Sequence, residues 1–277
     1  MRIIKNDLII KNVAELCKKA AYILPSDILK DLHNAKKQEK GLTKKILALT
    51  IKNANIAKGG IFPLCQDTGT AVLFVEIGQE IQIEGSLEKA LQDGIKKGFK
   101  ENYLRKSIVD EPLFTRKNTK TNTPAIIHYK IVKGNKLKIS LMLKGGGAEN
   151  KSQIKMFPPT ASKEEIIDFI LSAVKLAGSN ACPPFIIGIG LGGNFESVAL
   201  LAKQALFKNK QNKNKNYKKL EEEIKRKINK TNIGTQGLGG KITALKVFIE
   251  YAPCHIASLP CAVNICCHSC RHAKVIL

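Results

Sequence analysis

The chain has 277 residues, 44% of them hydrophobic, which is enough to bury a sizeable core and excludes a disordered polypeptide. Lys and Arg number 46 against 23 Asp and Glu, a net charge of +23. Only Arg2, Arg105, Arg116, Arg226 and Arg271 are arginine, the residue that base and phosphate recognition favours, so the charge reads as a solvated lysine surface and no nucleic-acid partner is expected.

No apolar run reaches membrane-spanning length, so no membrane partner is expected. The N-terminus is broken up by charge and lacks the apolar core of a secretory signal, which points to a cytoplasmic location. In such a compartment eight cysteines speak for metal or redox chemistry rather than a disulfide framework.

The first sixty residues read as helical, with apolar residues at helical spacing over Asp7–Leu24 and Thr43–Ala57. Cys17 falls on that pattern as a small core residue. After Gly59 and Gly60 comes the loop IFPLCQDTGT, and then Ala71–Ile77 as a strand. Ser86–Phe99 is an amphipathic helix, followed by a polar, proline-bearing stretch that contains Arg105. Ala125–Val132 and Leu137–Leu143 flank Lys133-Gly134-Asn135 and read as a β-hairpin. Lys144-Gly145-Gly146-Gly147 is a loop nearly without side chains. Ser162 and Glu165 form a capping box for a helix that Gly178 stops, with Cys182-Pro183-Pro184 directly after it.

FIIGIG is a buried strand and Phe195–Phe207 a helix. Residues 208–230 are a Lys/Asn-rich segment expected to be an exposed loop and helix end. A second glycine loop, NIGTQGLGG, and strands at Thr243–Glu250 and Ala262–Cys266 lead to the cysteine-rich end. The fold class expected is α+β: an N-terminal helical region followed by mixed β-sheets covered by helices, in a single domain over residues 1–277.

Cys65, Cys182 and the C-terminal cysteines are widely spaced, each beside Pro, Gly or His, whereas a local zinc knuckle uses close pairs. Three thiolates can hold three irons of a cubane cluster and leave the fourth without a protein ligand, an open Lewis acid for a hydroxyl or carboxylate. Glycine loops and arginine supply the donors that an acidic substrate needs. Taken one at a time, the residues also allow plainer readings. Cys65 and Cys182 can be packing thiols, Asp67 a turn aspartate and Arg105 a surface charge. His33 and His128 read as surface or packing residues. Gly188-x-Gly190-x-x-Gly193 fits a dinucleotide motif, but it reads better as close helix–strand packing because the Lys/Asn-rich stretch intervenes where the motif's acid-ended strand should follow. Cys267 and Cys270 with His268 and His272, completed by Cys254 and Cys261, form a candidate zinc set.

PLCQDTGT, LKGGGAENKSQIKMFPP, CPPFIIGIGLGGNFESVALLAKQAL, NIGTQGLGGK and HIASLPCAVNICCHSCRH occur in this order. Together they resemble the α subunit, or N-terminal half, of class I iron–sulfur fumarate hydratases and the related L(+)-tartrate dehydratases, over nearly the whole chain. The resemblance implies a hydro-lyase of the tricarboxylic acid cycle type with a 4Fe–4S cluster and a small dicarboxylate substrate. It implies Cys65, Cys182 and Cys267 as cluster ligands, with Cys266 competing for the third place. It implies Gln66 in the substrate site, Asp67 and His255 as acid/base groups, Arg105 on a substrate carboxylate, and backbone donors at Gly146 and Gly147. Ala148 stands where the family has a small hydroxyl residue, and Cys254, Cys261, Cys266 and Cys270 are extra to its pattern. Fused members continue into a second domain. The chain is therefore expected to need a β subunit, to work as a hetero-oligomer, and to be inactive alone. The alternative from another class is a zinc- or nucleic-acid-binding protein.

Overall fold

The computed structural model describes residues 2–277. Its elements are β1 (Arg2–Lys5), α1 (Asn6–Tyr22), α2 (Ser26–Gln38), α3 (Gly41–Lys58), β2 (Thr70–Gly78), β3 (Ile81–Glu84), α4 (Leu87–Glu101), β4 (Ile126–Val132) and β5 (Leu137–Lys144). They continue with the single turn α5 (Gly146–Glu149), β6 (Gln153–Phe157), α6 (Lys163–Ala177), β7 (Phe185–Gly193), α7 (Phe195–Ala205), α8 (Lys215–Asn229), β8 (Ala244–Cys254), β9 (Leu259–Cys266) and β10 (His272–Ile276). This is the expected α+β class. No helix is long and apolar enough to cross a membrane among the described residues. The chain divides into two compact units.

Unit 1 comprises Met1–Pro25, Asn53–Gly146 and Arg271–Leu277. Its sheet has the order β10-β5-β2-β4, and β1 pairs with β3 beside it in a two-stranded ribbon. Helix α4 begins at Ser86, whose Oγ accepts from Lys89 N, and it buries Ala90, Leu91, Ile95 and Phe99. It packs on α1 through two glycines: a Cβ at Gly94 would lie 2.6 Å from Val13 Cβ, and one at Gly98 would lie 2.7 Å from Cys17 Cβ. Cys17 is fully buried at this contact, and burial pushes its thiol far above the ordinary range, as a packing residue requires.

The expected hairpin over 125–143 is not formed. β2 lies between its two strands, parallel to β4 and antiparallel to β5. The intervening turn is bonded to the end of β2 instead of closing β4 on β5. Gly78 N donates to Lys136 O at 2.9 Å and Glu80 N to Gly134 O at 3.1 Å. A Cβ at residue 78 would stand 2.3 Å from Gly134 O, so glycine there is what lets the turn straddle β2.

Unit 2 comprises Ser26–Lys52 and Gly147–Cys270. Its sheet runs β6-β9-β7-β8, with β7 parallel to β8 and antiparallel to β9. Helix α6 carries the expected capping box: Ser162 Oγ accepts from Glu165 N at 3.2 Å, and Ser162 N donates to Glu165 Oε2 at 2.7 Å. Strand β7 is buried up to Gly192, and its glycines sit inside the strand instead of at a strand–helix turn. A Cβ at Gly188 would be 2.1 Å from Ala202 O, and one at Gly190 would be 2.1 Å from Val198 O, so these glycines let α7 lie directly on β7. That is the packing reading of the motif.

Within the Lys/Asn-rich segment, α8 turns Glu221, Ile224 and Ile228 inward at helical spacing. Glu221 anchors it, accepting from Ile249 N at 2.8 Å and Asn212 N at 3.0 Å. Burial raises the Glu221 carboxyl above its ordinary value despite these bonds. The folded protein thus holds the Glu221 proton more tightly than the unfolded chain does. The resulting stabilisation is complete below the unfolded carboxyl value and disappears as pH rises through the folded one. Thermal melts of Glu221→Gln should lack this acid-side component; an unchanged pH profile would remove Glu221 from the account.

Candidate active site

In unit 1 the loop before β2 is tied down ahead of Cys65. Leu64 N donates to Ala21 O at 2.8 Å, and Asn53 Nδ2 donates to Leu64 O at 2.9 Å. Cys65 is half-buried, Gln66 exposed and Asp67 half-buried. Asp67 is held from several directions. Its Oδ1 accepts from Gly69 N at 2.9 Å, its Oδ2 accepts from Gly146 N at 2.9 Å, and its backbone oxygen accepts from Arg271 Nη1. Arg271 is only 3% exposed.

Gly69 follows with φ +78°, and a Cβ there would lie 2.6 Å from Lys144 O, so only glycine brings this loop against the end of β5. The neighbouring Thr68 is buried and donates from Oγ1 to Arg105 O at 2.7 Å. That bond places Arg105 beside the loop while its own side chain stays in solvent. Unit 1 therefore brings together Cys65, Gln66, Asp67, Arg105 and Gly146.

Unit 2 assembles a second set. Cys182 follows the turn Gly178–Ala181 with φ +54° and is exposed. Its carbonyl accepts from His268 N at 3.4 Å and lies 3.1 Å from His268 Nδ1. Gln236, from the NIGTQGLGG loop, donates to Pro183 O from its backbone N at 2.8 Å and from Nε2 at 3.2 Å. The same Nε2 lies 3.4 Å from His268 Nδ1. Cys267 stands next to His268, half-buried just past β9, with Sγ 3.0 Å from Ser269 Oγ. A Cβ at Gly147 would be 3.3 Å from Asn180 O, which puts that glycine at the edge of the Cys182 turn.

His255 sits on the exposed turn between β8 and β9. Its Nδ1 accepts from Ala257 N at 3.1 Å, so the neutral ring carries its proton on Nε2. The bonds joining Cys182, Gln236 and His268 do not include it.

The cysteines separate by environment. Cys266 is 4% exposed inside β9, opposite Ile186, and so makes a poorer ligand candidate than its neighbour Cys267. Cys261 is fully buried inside β9, and burial pushes its thiol up to about 12. Cys270 is also buried, and Cys254, at the end of β8, bonds to Ser258 O at 3.3 Å. Among the described residues no group of three or more His, Cys, Asp or Glu is placed to hold a single metal ion.

The family model for fumarate hydratase (Fumerase) matches residues 10–276. The chain belongs to the fumarate hydratase family. A protein of Methanocaldococcus jannaschii whose name proposes it as L(+)-tartrate dehydratase subunit alpha is 40% identical over 271 residues, covering 94% of each chain. L(+)-tartrate dehydratase subunit alpha of Escherichia coli is 27% identical over 259 residues, covering 92% of this chain and 86% of that one. The protein of the same name from Shigella sonnei shows the same figures. This is a hydro-lyase family.

Two residues of the family's ordered motifs were not singled out by sequence reasoning. Arg271 lies in CHSCRH and Gln236 in NIGTQGLGGK, but what each one holds is a backbone carbonyl, a target no residue pattern announces. His268, weighed only as a zinc ligand, instead contacts the Cys182 carbonyl.

Proposed function

We propose that this chain is the α subunit of a two-subunit iron–sulfur hydro-lyase that hydrates fumarate to L-malate. The observation that carries the reading is the fixed CQD loop of unit 1, with Asp67 held by backbone donors beside Cys65 and Arg105. A second reading of the same site, dehydration of L(+)-tartrate, is favoured by the names of the relatives.

The donor set fits a 4Fe–4S cluster. Cys65, Cys182 and Cys267 are loop thiols that are not buried, whereas Cys17, Cys261, Cys266 and Cys270 are. Soft thiolates are the ligands such clusters select. When bound, the cluster supplies an open iron that acts as a Lewis acid towards a hydroxyl and a carboxylate. Arg105 clamps a substrate carboxylate, with Gln66 as a neighbouring polar contact. The N–H of Gly146 is already committed to Asp67, so the backbone donor for substrate falls to Gly147. Asp67 keeps lone pairs beyond its two backbone bonds and moves the proton at the carbon next to the departing hydroxyl. His255, through Nε2, is the acid/base partner. A β subunit supplies the remaining substrate contacts, and the α chain alone is inactive.

The test is anaerobic reconstitution of the chain with its β-subunit homologue. Brown protein with broad absorbance at about 400 nm and turnover of fumarate, L-malate or L(+)-tartrate supports the reading. Colourless protein with stoichiometric zinc overturns it. Cys65→Ser, Cys182→Ser and Cys267→Ser should each lose the colour and the turnover, while Cys266→Ser and Cys270→Ser keep both. Loss of colour in Cys266→Ser and not in Cys267→Ser would reassign the third ligand.

A further inference from the structure

Helix α3 is apolar on two faces. Leu47, Ile51, Ala54 and Ala57 are buried, as the inner face of a packed helix should be. On the other side Leu42 is 60% exposed, Leu49 63% and Ile56 49%, and Ile46 is half-buried between them. At about 100° per residue these four side chains fall within roughly 80° of arc. Their spacing of four, three and seven residues is that of a d-a-d-d seam in a heptad frame, with Asn53 at the intervening a position. At about 1.5 Å per residue the seam is roughly 21 Å long. Large apolar side chains ranked along one helix face mark an interface more often than a solvated surface does.

Charge decides what covers this face. Helix α3 holds Lys44, Lys45, Lys52 and Lys58 and no acidic residue. Lys45 and Lys52 border one margin of the seam. Two copies laid antiparallel along it would set Lys45 of each against Lys52 of the other, in a chain whose net charge is already +23. A second copy is therefore the disfavoured occupant. We propose that this face of α3 is the docking surface for the β subunit, and that it takes an apolar stripe bordered by Asp or Glu. The inference rests on the two-subunit reading above.

The variants are Leu42→Glu with Leu49→Glu, made together. Both sites are exposed and Glu is a good helix former, so the fold is retained. The chain is loaded on a resin and the purified β-subunit homologue from the same genome is titrated over it. Two buried anchors at an interface centre are worth at least tenfold in affinity. The expected result is a loss of at least tenfold for the double variant, with the melting temperature and cluster absorbance of the α chain unchanged. Lys45→Glu with Lys52→Glu should weaken capture further as salt is lowered, where wild-type capture tightens.

Undiminished capture of β by the apolar double variant overturns the proposal. So does light scattering that shows wild-type α as a dimer which the variant splits while β capture persists, because the occupant is then a second copy. If wild-type α fails to capture β at all, the two-subunit reading fails with it. If the wild-type pair forms but turns over no dicarboxylate, the docking surface stands and the catalytic reading falls.

Discussion

Gly190→Ala should lower the melting temperature of the protein by roughly 6–12 °C. The added Cβ would stand 2.1 Å from Val198 O and 2.8 Å from Ala202 N, both backbone atoms of α7. No rotamer change relieves a clash with backbone, so α7 must lift off β7. Overpacking a well-filled core costs about 1–3 kcal/mol and occasionally more. Moving a helix whose Val198, Ala202 and Ala205 are all buried belongs at the upper end of that range. A cost near 3 kcal/mol corresponds to about 6–12 °C for a chain of this size. Gly188→Ala meets Ala202 O at the same 2.1 Å and should behave alike. Because the two sites share α7 as their obstacle, the double variant should lose less than the sum. A Gly190→Ala melt within about 2 °C of wild type, against the 2–4 °C expected for each kcal/mol, would mean that α7 adapts without penalty.

The same glycines show where sequence reasoning succeeds. A glycine run inside an apolar strand admits either a phosphate loop or a close-packed helix, and the Lys/Asn-rich stretch standing where the motif's acid-ended strand should follow pointed to packing. The structure bears that out because β7 is wedged between β8 and β9 with α7 across it. Long helices were legible for a local reason. Ser162, Glu165 and Gly178 around α6 are short-range signals, and so is Ser86 at the start of α4.

Pairing was not legible. The segments at 126–132 and 137–144 alternate as hairpin strands do, but alternation states only that one face is buried. It does not name the neighbour. β2 is that neighbour, and the evidence for it lies in Gly78, a residue outside both strands. The short strands β1, β3, β6 and β10 escaped because stretches of 4 or 5 residues carry too little periodicity to stand out. The Lys/Asn-rich segment hid α8, whose inward residues are only Glu221, Ile224 and Ile228. One of these is a carboxylate, which reads as surface until the backbone donors of Asn212 and Ile249 are seen.

At the candidate site, residue types were legible and their fastenings were not. Cys65, Gln66 and Asp67 stand out through the resemblance of PLCQDTGT to the family's motif, since Cys65 and Asp67 taken alone also allow a packing thiol and a turn aspartate. That Asp67 is gripped by Gly69, Gly146 and Arg271 follows from β5 and β10 ending beside the loop, a tertiary fact. This grip yields the second large effect. Arg271→Ala should cost about 1.5–3 kcal/mol, the range for a hydrogen bond to a charged group, since the Asp67 carbonyl loses a buried guanidinium donor.

The larger consequence concerns rate. On the proposed function, a loop free to shift by about 1 Å can cost about 100-fold in turnover, because Cys65 and Asp67 move together and would have to meet cluster and substrate at once. The α/β enzyme carrying Arg271→Ala should therefore lose at least tenfold in kcat, a loss of about 1.4 kcal/mol or more in the barrier. KM for the dicarboxylate should change less, because Arg105, the proposed carboxylate clamp, is fastened separately through Thr68. Arg271→Lys keeps the charge but not the planar fork, and it should recover stability better than rate. The measurements are paired: a thermal melt of the α chain, and steady-state kinetics of the complex. Wild-type kcat in Arg271→Ala, whatever its melting temperature, would show that the loop holds its catalytic geometry without the arginine and that Asp67 depends on Gly69 and Gly146 alone.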